Sequence, residues 1–338
     1  MTATKPPELA MLWEADDPSL ALDKRFGFTD LGQATRWLGD VLATHWGVEV
    51  VSWERFVISA GNALVWLTTD TQRLLAKWSV VSRLHPRLAE FARLTDWLGR
   101  RGMPVSAPIP SIDGILQVET GGVSLCLQRV ADGAHLDVSD PAQVYAAGVA
   151  LADLHLALAE YPFLDSMTTL DVRSQPEPLV ARLSDGIEST GTNSAGTNPA
   201  RAEAIGALRA FLGTRRSDPS VPGPAQLIHR DFRSANVLFT GNTVTAVLDF
   251  EEVKYDFSVV DLAHSAVLLG TQFRNWAPVP PETHEVFVAG YRSVRSLSES
   301  EDAWLAALML WGTVHFVPAG DDPAGWGTSA KALAAALR

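Results

Sequence analysis

Residues 228 to 250 read Ile-His229-Arg230-Asp231-Phe-Arg233-Ser-Ala-Asn236-Val-Leu-Phe, a short turn, and then Ala-Val-Leu-Asp249-Phe. An aspartate and an asparagine stand five positions apart in a loop, and a second aspartate closes the apolar run that follows. Transfer of a phosphoryl group to a hydroxyl calls for these residue types. The migrating group carries spread negative charge, so positioned cations matter more than covalent chemistry. Magnesium prefers hard oxygen ligands, and a carboxylate, a carboxamide and substrate phosphates complete its shell. Asp231 is expected to orient the attacking hydroxyl and accept its proton late, with Asn236 and Asp249 as magnesium ligands. The 13 residues from Asn236 to Asp249 (249 − 236) allow a two-stranded ribbon across the turn Thr240-Gly241-Asn242. Such a ribbon brings both metal ligands to one end. The plain alternative is a polar loop with capping Asp and Asn residues. The whole series, His-x-Asp, Asn at that offset, then a strand ending in Asp-Phe, outweighs it.

The segment is similar to the aminoglycoside phosphotransferase and choline kinase family, small-molecule kinases that share the protein-kinase fold. Glu251 follows Asp249-Phe250 where a protein kinase has Gly, and Asp256-Phe-Ser-Val-Val-Asp261-Leu-Ala resembles the family's entry into a helix of the large lobe. No activation loop or Ala-Pro-Glu segment follows, so a protein substrate has no platform. The sequence departs at Arg230, where many family members carry Gly, which leaves the substrate class open. The resemblance implies an α+β, two-lobed protein-kinase-like fold that uses ATP and Mg2+ to phosphorylate a hydroxyl of a small molecule, such as an aminoglycoside, amino sugar or amino alcohol. A non-catalytic ATP-binding pseudokinase and a protein kinase are the rival readings.

The elements needed to position such a site are visible in the pattern. Residues 1 to about 28 read as an irregular arm with about one turn of helix, followed by a helix from Asp30 to about Gly47. Val48 to Ile58, Ala63 to Thr69 and Arg73 to Val80 read as strands, Arg83 to Arg101 as a helix, and Ile115 to Glu119 with Val123 to Arg129 as a hairpin over Gly121-Gly122. Residues 1–128 are thus expected to hold the arm, a helix and a small lobe with a five-stranded antiparallel sheet. Residues 129–134 are the expected hinge, and residues 135–338 a mainly helical large lobe. A long helix is expected over Pro141 to Glu160, with others near 201–213, 260–270, 282–294 and 301–316. Residues 184–200, rich in turn formers, read as a mobile surface loop.

For the nucleotide, the resemblance implies Lys77 on the third strand, paired with Glu90 of the next helix, on the α and β phosphates. A solvated strand lysine is the alternative for Lys77, although its neighbours Leu74, Leu75, Ala76 and Trp78 argue for a held charge. Ser59, Gly61 and Asn62 stand where kinases cover the phosphates, and backbone groups near Arg129 and Ala131 are expected against the adenine. His229 and Asp261 read as braces of the loop. Arg233 could steady developing phosphate charge or pair with Glu251 or Glu252. Glu251, Glu252 and Asp256 lead the candidates for the substrate, followed by Trp276, Trp304, Trp311, His315, Asp321, Asp322 and Trp326.

Composition bounds the partners. A formal net charge of −12 argues against nucleic acid and suits a small cationic acceptor. A single cysteine, Cys126, excludes an internal disulfide, and the absence of an apolar leader or membrane-length run points to a cytoplasmic protein without membrane partners. Oligomeric state is not legible from these residues.

Overall fold

Strand alternation followed by helical periodicity builds two separate cores. The computed structural model describes residues 7–172, 174–192, 198–215 and 222–337. These fall into two compact units, Met1–Asp132 and Gly133–Arg338.

The first unit runs β1 (Glu8–Met11), α1 (Pro18–Phe26), α2 (Leu31–Trp46), β2 (Ser52–Ile58), β3 (Asn62–Thr68), β4 (Arg73–Ser79), α3 (His85–Arg100), β5 (Val118–Thr120) and β6 (Val123–Arg129). The sheet order is β1-β2-β3-β4-β6-β5. Its five antiparallel strands are those expected, and β1 adds a sixth at the edge, parallel to β2, with Glu8 opposite Arg55 and Met11 opposite Ile58. Within the described part of the expected irregular arm, from residue 7 onward, there is a strand and a helix. Asp17 caps α1 by accepting from the N–H groups of Ser19 and Leu20 at 2.9 and 3.0 Å, Pro18 opens it, and Gly27 ends it in the left-handed region. Alternation along β3 and β4 sends Ala63, Val65, Leu67, Leu74, Ala76 and Trp78 to one face, where they bury against Leu38 and Leu42 of α2 and Leu22 and Phe26 of α1. Trp78 takes edge-on contacts from Phe26, Trp37 and Phe56.

The second unit runs β7 (Ala134–His135), α4 (Pro141–Ala159), α5 (Leu179–Thr192), α6 (Pro199–Arg215), β8 (Ala225–Ile228), β9 (Val237–Thr240), β10 (Thr243–Val247), β11 (Lys254–Phe257), α7 (Ser258–Leu268), α8 (Pro281–Val294), α9 (Glu299–Val314) and α10 (Trp326–Ala336). Its sheets are small, β10-β9-β7 and β11-β8. Residues 184–192 of the expected mobile loop are the later part of α5, because Leu179, Leu183 and Ile187 repeat at i, i+4, i+8 and bury. Residues 193–197 of that stretch lie outside the described residues. The Asp321-Asp322 turn opens a helix: Asp322 accepts from the N–H groups of Gly325, Trp326 and Gly327 and so starts α10. Helix α4 has the length and apolarity to cross a membrane, but half of it is buried inside this unit. Its Gly148 meets the backbone of α8, and Gly290 of α8 meets the backbone of α4. A Cβ at either would stand 2.0 Å from Phe287 O or 2.1 Å from Tyr145 O. Only glycine permits that approach.

Candidate active site

Two devices in the second unit set the geometry, a buried carboxylate and a short hairpin. Asp261, fully buried near the start of α7, accepts from the backbone N–H of His229 at 2.8 Å and of Arg230 at 2.9 Å. His155 of α4 bonds the same carboxylate through Nε2 at 3.0 Å and meets the Tyr291 hydroxyl through Nδ1 at 2.8 Å. Burial alone would raise the Asp261 carboxyl, but the hydrogen bond and the charges of the surrounding histidines prevail and hold it at about 2. Asp261 is thus the loop brace that the sequence suggested, and α4 and α8 reach it through His155 and Tyr291.

His229 is a second brace. Its Nδ1 accepts the N–H of Asp231 at 3.2 Å, which leaves the proton on Nε2, 3.0 Å from the carbonyl of Leu248. Burial pushes its imidazole below the usual range, in keeping with a neutral ring. The ring ties the catalytic-type loop to the end of β10.

These bonds present Asp231 on a nearly fixed plane. Its Oδ2 accepts from Asn236 Nδ2 at 2.6 Å, and its Oδ1 accepts from Arg233 Nε at 2.7 Å. The same Asn236 nitrogen bonds the Asp231 carbonyl at 2.9 Å, so two acceptors fix the amide's orientation and its Oδ1 is the end turned away from Asp231. The hairpin then sets Asp249. Val237 pairs with Val247, and Leu248 N–H donates to the Asn236 carbonyl at 2.8 Å, so Asp249 follows directly beside Asn236. Asp249 is exposed and left-handed, with φ 60, and Arg230 is left-handed too, with φ 72. Two non-glycine residues in that region flank the same few atoms, which marks stored backbone strain.

The structure gives Arg233 its own loop's aspartate, Asp231. Besides Asp231 it donates through NH1 to the carbonyl of Gln272 at 2.6 Å, and its guanidinium lies 5.2 Å from the ring centre of Trp276. Trp276 leans on Phe316, which stacks on Trp326 at 4.7 Å, and Trp326 Nε1 donates to the Trp276 carbonyl at 3.2 Å. Sequence reasoning missed this chain of aromatics. Trp276 and Trp326 were visible as candidates, but nothing local linked them to position 233.

Three acids expected around the substrate have separate placements. Glu251 and Glu252 form the turn directly after Asp249. Asp256, on β11, is buried and makes a two-pronged pair with Arg182 of α5, at 2.6 and 3.0 Å, while its Oδ1 also accepts the Phe257 N–H. Its carboxylate serves the join between α5 and β11. Asp322 is the cap of α10. Trp304 is buried against Phe211, Trp311 fills the space left by Gly186, and His315 bonds the Trp311 carbonyl.

In the first unit, Lys77 sits half-buried on β4 between Leu64 and Cys126 in register, on the face opposite Trp78. Burial pushes the Cys126 thiol up to about 12 against the opposing pull of the Lys77 ammonium. Glu90 lies on the buried side of α3. In the β2–β3 turn, Ser59 N–H donates to Asn62 O at 2.9 Å, and Val80 N–H donates to Gly61 O at 3.0 Å. A Cβ on Gly61 would stand 2.3 Å from a Val81 methyl, so glycine is required here for space. Arg129 is exposed at the end of β6, its Nε 3.3 Å from Gln72 Oε1, and Ala131 follows in the connecting segment.

Among the described residues no group of three or more His, Cys, Asp or Glu side chains could hold a metal by itself. The Asn236–Asp249 pair suits a cation that takes its remaining ligands from phosphate oxygens and water, as magnesium does. A carboxylate, a carboxamide and a held aspartate thus come together on one hairpin and loop, the arrangement that the sequence suggested for phosphoryl transfer. Residues 52–306, more than half of the sequence, match the phosphotransferase enzyme family, and the chain belongs to it. It is a small-molecule kinase. Over 274 residues it is 26% identical to homoserine kinase of Neisseria meningitidis serogroup B, a match that covers 79% of this chain and 82% of the relative. Over 298 residues it is 26% identical to homoserine kinase of Allorhizobium ampelinum, covering 86% of this chain and 85% of the relative. Its fold is similar to that of the macrolide 2′-phosphotransferase of Brachybacterium faecium, with a TM-score of 0.58 at 18% identity, covering 89% of this chain and 97% of that one. A microcompartment-associated aminopropanol kinase matches with a TM-score of 0.56 at 18% identity, covering 89% and 92%.

Proposed function

We propose that this kinase transfers the γ-phosphoryl group of Mg-ATP to the side-chain hydroxyl of a small amino acid, homoserine or a close analogue. The observation that carries the chemistry is Asp231, held through Oδ1 by Arg233 and through Oδ2 by Asn236, on the same hairpin-and-loop assembly as Asp249. The curated relatives that match across most of the chain are homoserine kinases, and they carry the substrate assignment.

The residue roles follow from position. Asp231 accepts a hydrogen bond from the acceptor hydroxyl, aligns its lone pair with the γ-phosphorus, and takes the proton late in the transfer. Asn236 Oδ1 and the Asp249 carboxylate hold magnesium, which neutralises charge on the nucleotide phosphates. Lys77, oriented by Glu90, binds the α and β phosphates, and Ser59, Gly61 and Asn62 cover them with backbone groups. Arg129 and Ala131 offer backbone groups to the adenine. Arg233 keeps Asp231 aimed. Glu251 and Glu252, in the turn directly after Asp249, are assigned to an ammonium group on the acceptor. An aminoglycoside or amino alcohol is the second reading, favoured by the net charge of −12.

The test is ADP release with Mg-ATP across homoserine, amino alcohols, amino sugars and aminoglycosides, with Asp231→Asn as control. Homoserine is expected to stimulate release, and Asp231→Asn to lose about 10²–10⁴-fold in kcat, the usual worth of a positioned base. ATP binding in that variant is expected to stay near the wild-type value. Stimulation by an aminoglycoside alone would refute the homoserine assignment. Full turnover by Asp231→Asn would refute the mechanism, and tight ATP binding without turnover on any acceptor would favour a non-catalytic module.

A further inference from the structure

Arg230 occupies a backbone position that penalises it. At φ 72 an L side chain costs about 1 kcal/mol or more, which glycine would avoid. Its backbone explains the conformation, since the N–H must reach Asp261, but not the choice of arginine. The surroundings of the side chain supply a reason. Lys254 pairs with Ile228 at the start of β11, two residues before Arg230 on the opposing strand. His264 lies three residues beyond Asp261 on α7, hence on the same side of that helix. The charges of Arg230, Lys254 and Arg233 all act on His264, which with burial lowers its imidazole to about 4. Arg233 is already committed to Asp231 and two carbonyls. Among the described residues neither Arg230 nor Lys254 has a carboxylate partner. Asp261, which accepts the Arg230 N–H, is already engaged by a second backbone N–H and by His155.

We propose that Arg230, Lys254 and His264 form an oxyanion-binding site on the flank of the catalytic loop, taking a carboxylate or phosphate-like group. Two cations and an imidazole stand together there, open to solvent on the Lys254 side, and charge-assisted hydrogen bonds to an oxyanion are contacts that groups so placed can make. Either the acceptor's own carboxylate fills the site, or a free anion does and thereby stiffens the loop that bears Asp231. The first source deepens the homoserine reading; the second stands without it.

Two variants test the site without unfolding the protein. Arg230→Gly removes the cation and relieves the left-handed strain, and Lys254 is exposed, so Lys254→Gln leaves the core intact. Thermal melts with Mg-ADP present to fill the nucleotide site, titrated with inorganic phosphate, read anion binding directly. Wild type is expected to gain stability with phosphate, and each variant to lose most of that gain. In parallel, KM is measured for homoserine and for homoserinol, which lacks the carboxylate. If the acceptor fills the site, Arg230→Gly raises KM for homoserine at least tenfold with kcat little changed, and leaves homoserinol unaffected. If a free anion fills it, the KM values stay together while phosphate still separates wild type from the variants. Equal phosphate response and equal KM values in wild type and both variants overturn the proposal. A wild type inactive on homoserine removes the substrate assignment alone, and the phosphate titration then decides the site.

Discussion

Gly148 on α4 offers the sharpest check on how the helices support the active-site loop. A Cβ there would lie 2.0 Å from Phe287 O and 2.8 Å from Tyr291 N, both backbone atoms of α8. Ordinary contact begins near 3.4 Å, so Gly148→Ala forces α4 and α8 apart by about 1.4 Å (3.4 − 2.0). The Tyr291–His155 bond, now 2.8 Å, spans those two helices and would stretch beyond hydrogen-bonding range. Overpacking costs about 3 kcal/mol and the lost buried bond about 1, while the gain in helix propensity returns about 1. The net is a loss of roughly 2–4 kcal/mol, which for a unit of this size lowers Tm by about 5–15 °C. Gly206→Ala is the control, because its Cβ meets nothing within 4 Å and the same propensity gain should appear undiluted. Differential scanning calorimetry and kcat on the three proteins make the comparison. A Gly148→Ala protein as stable as Gly206→Ala, with full kcat, would refute the idea that backbone contact between these helices positions Asp261.

Acid should destabilise the fold in two stages. His264 and His284 are held near 4 in the folded state against 6.5 when free, so the unfolded chain takes up protons first and Tm falls as pH drops from about 6.5 to 4. Asp261, held at about 2 against 3.8, adds stability that is complete above pH 3.8 and is lost as pH falls through 2. A flat Tm between pH 7 and 4.5 would contradict the histidine assignment. Arg182→Ala should cost about 3 kcal/mol by stranding the buried Asp256, while Arg182→Met with Asp256→Leu recovers most of it and keeps KM for the acceptor unchanged. A large KM change in that double variant would return Asp256 to the substrate site. Cys126, buried and with its thiol at about 12, should resist thiol reagents at pH 8 until the protein is denatured.

What sequence could show here depended on how local the cause was. The hairpin carrying Asn236 and Asp249 is fixed by neighbours and a Gly turn, so spacing alone placed both residues. Strands β2 to β4 show their alternation in sequence, and Asp261 was legible as a brace through the resemblance of its stretch to the family's entry into a large-lobe helix. Strand β1 has only four residues and exists by pairing with β2 more than forty positions away, which no local pattern reveals. The polar stretch after Leu179 hid the i, i+4, i+8 spacing of α5. Acidic residues were least legible. Asp256 and Asp322 look the same in a sequence whether they meet a substrate, an arginine or a helix end, and only tertiary placement separates those fates. The partner of Arg233 was equally hidden, since Gln272 and Trp276 come to it from about forty residues downstream.

The aromatic relay from Arg233 through Trp276 and Phe316 to Trp326 has a bearing on biosynthesis. The catalytic-loop residues leave the ribosome roughly ninety positions before Trp326 does, so during that interval the cradle of Arg233 lacks its final stacking layer. A nascent chain arrested after α9 would carry every residue of the proposed phosphoryl-transfer centre and yet hold Asp231 through an arginine whose stacking partner is unsupported. Phosphotransfer is therefore expected to switch on only once α10 has docked and Trp326 backs the Phe316–Trp276 stack.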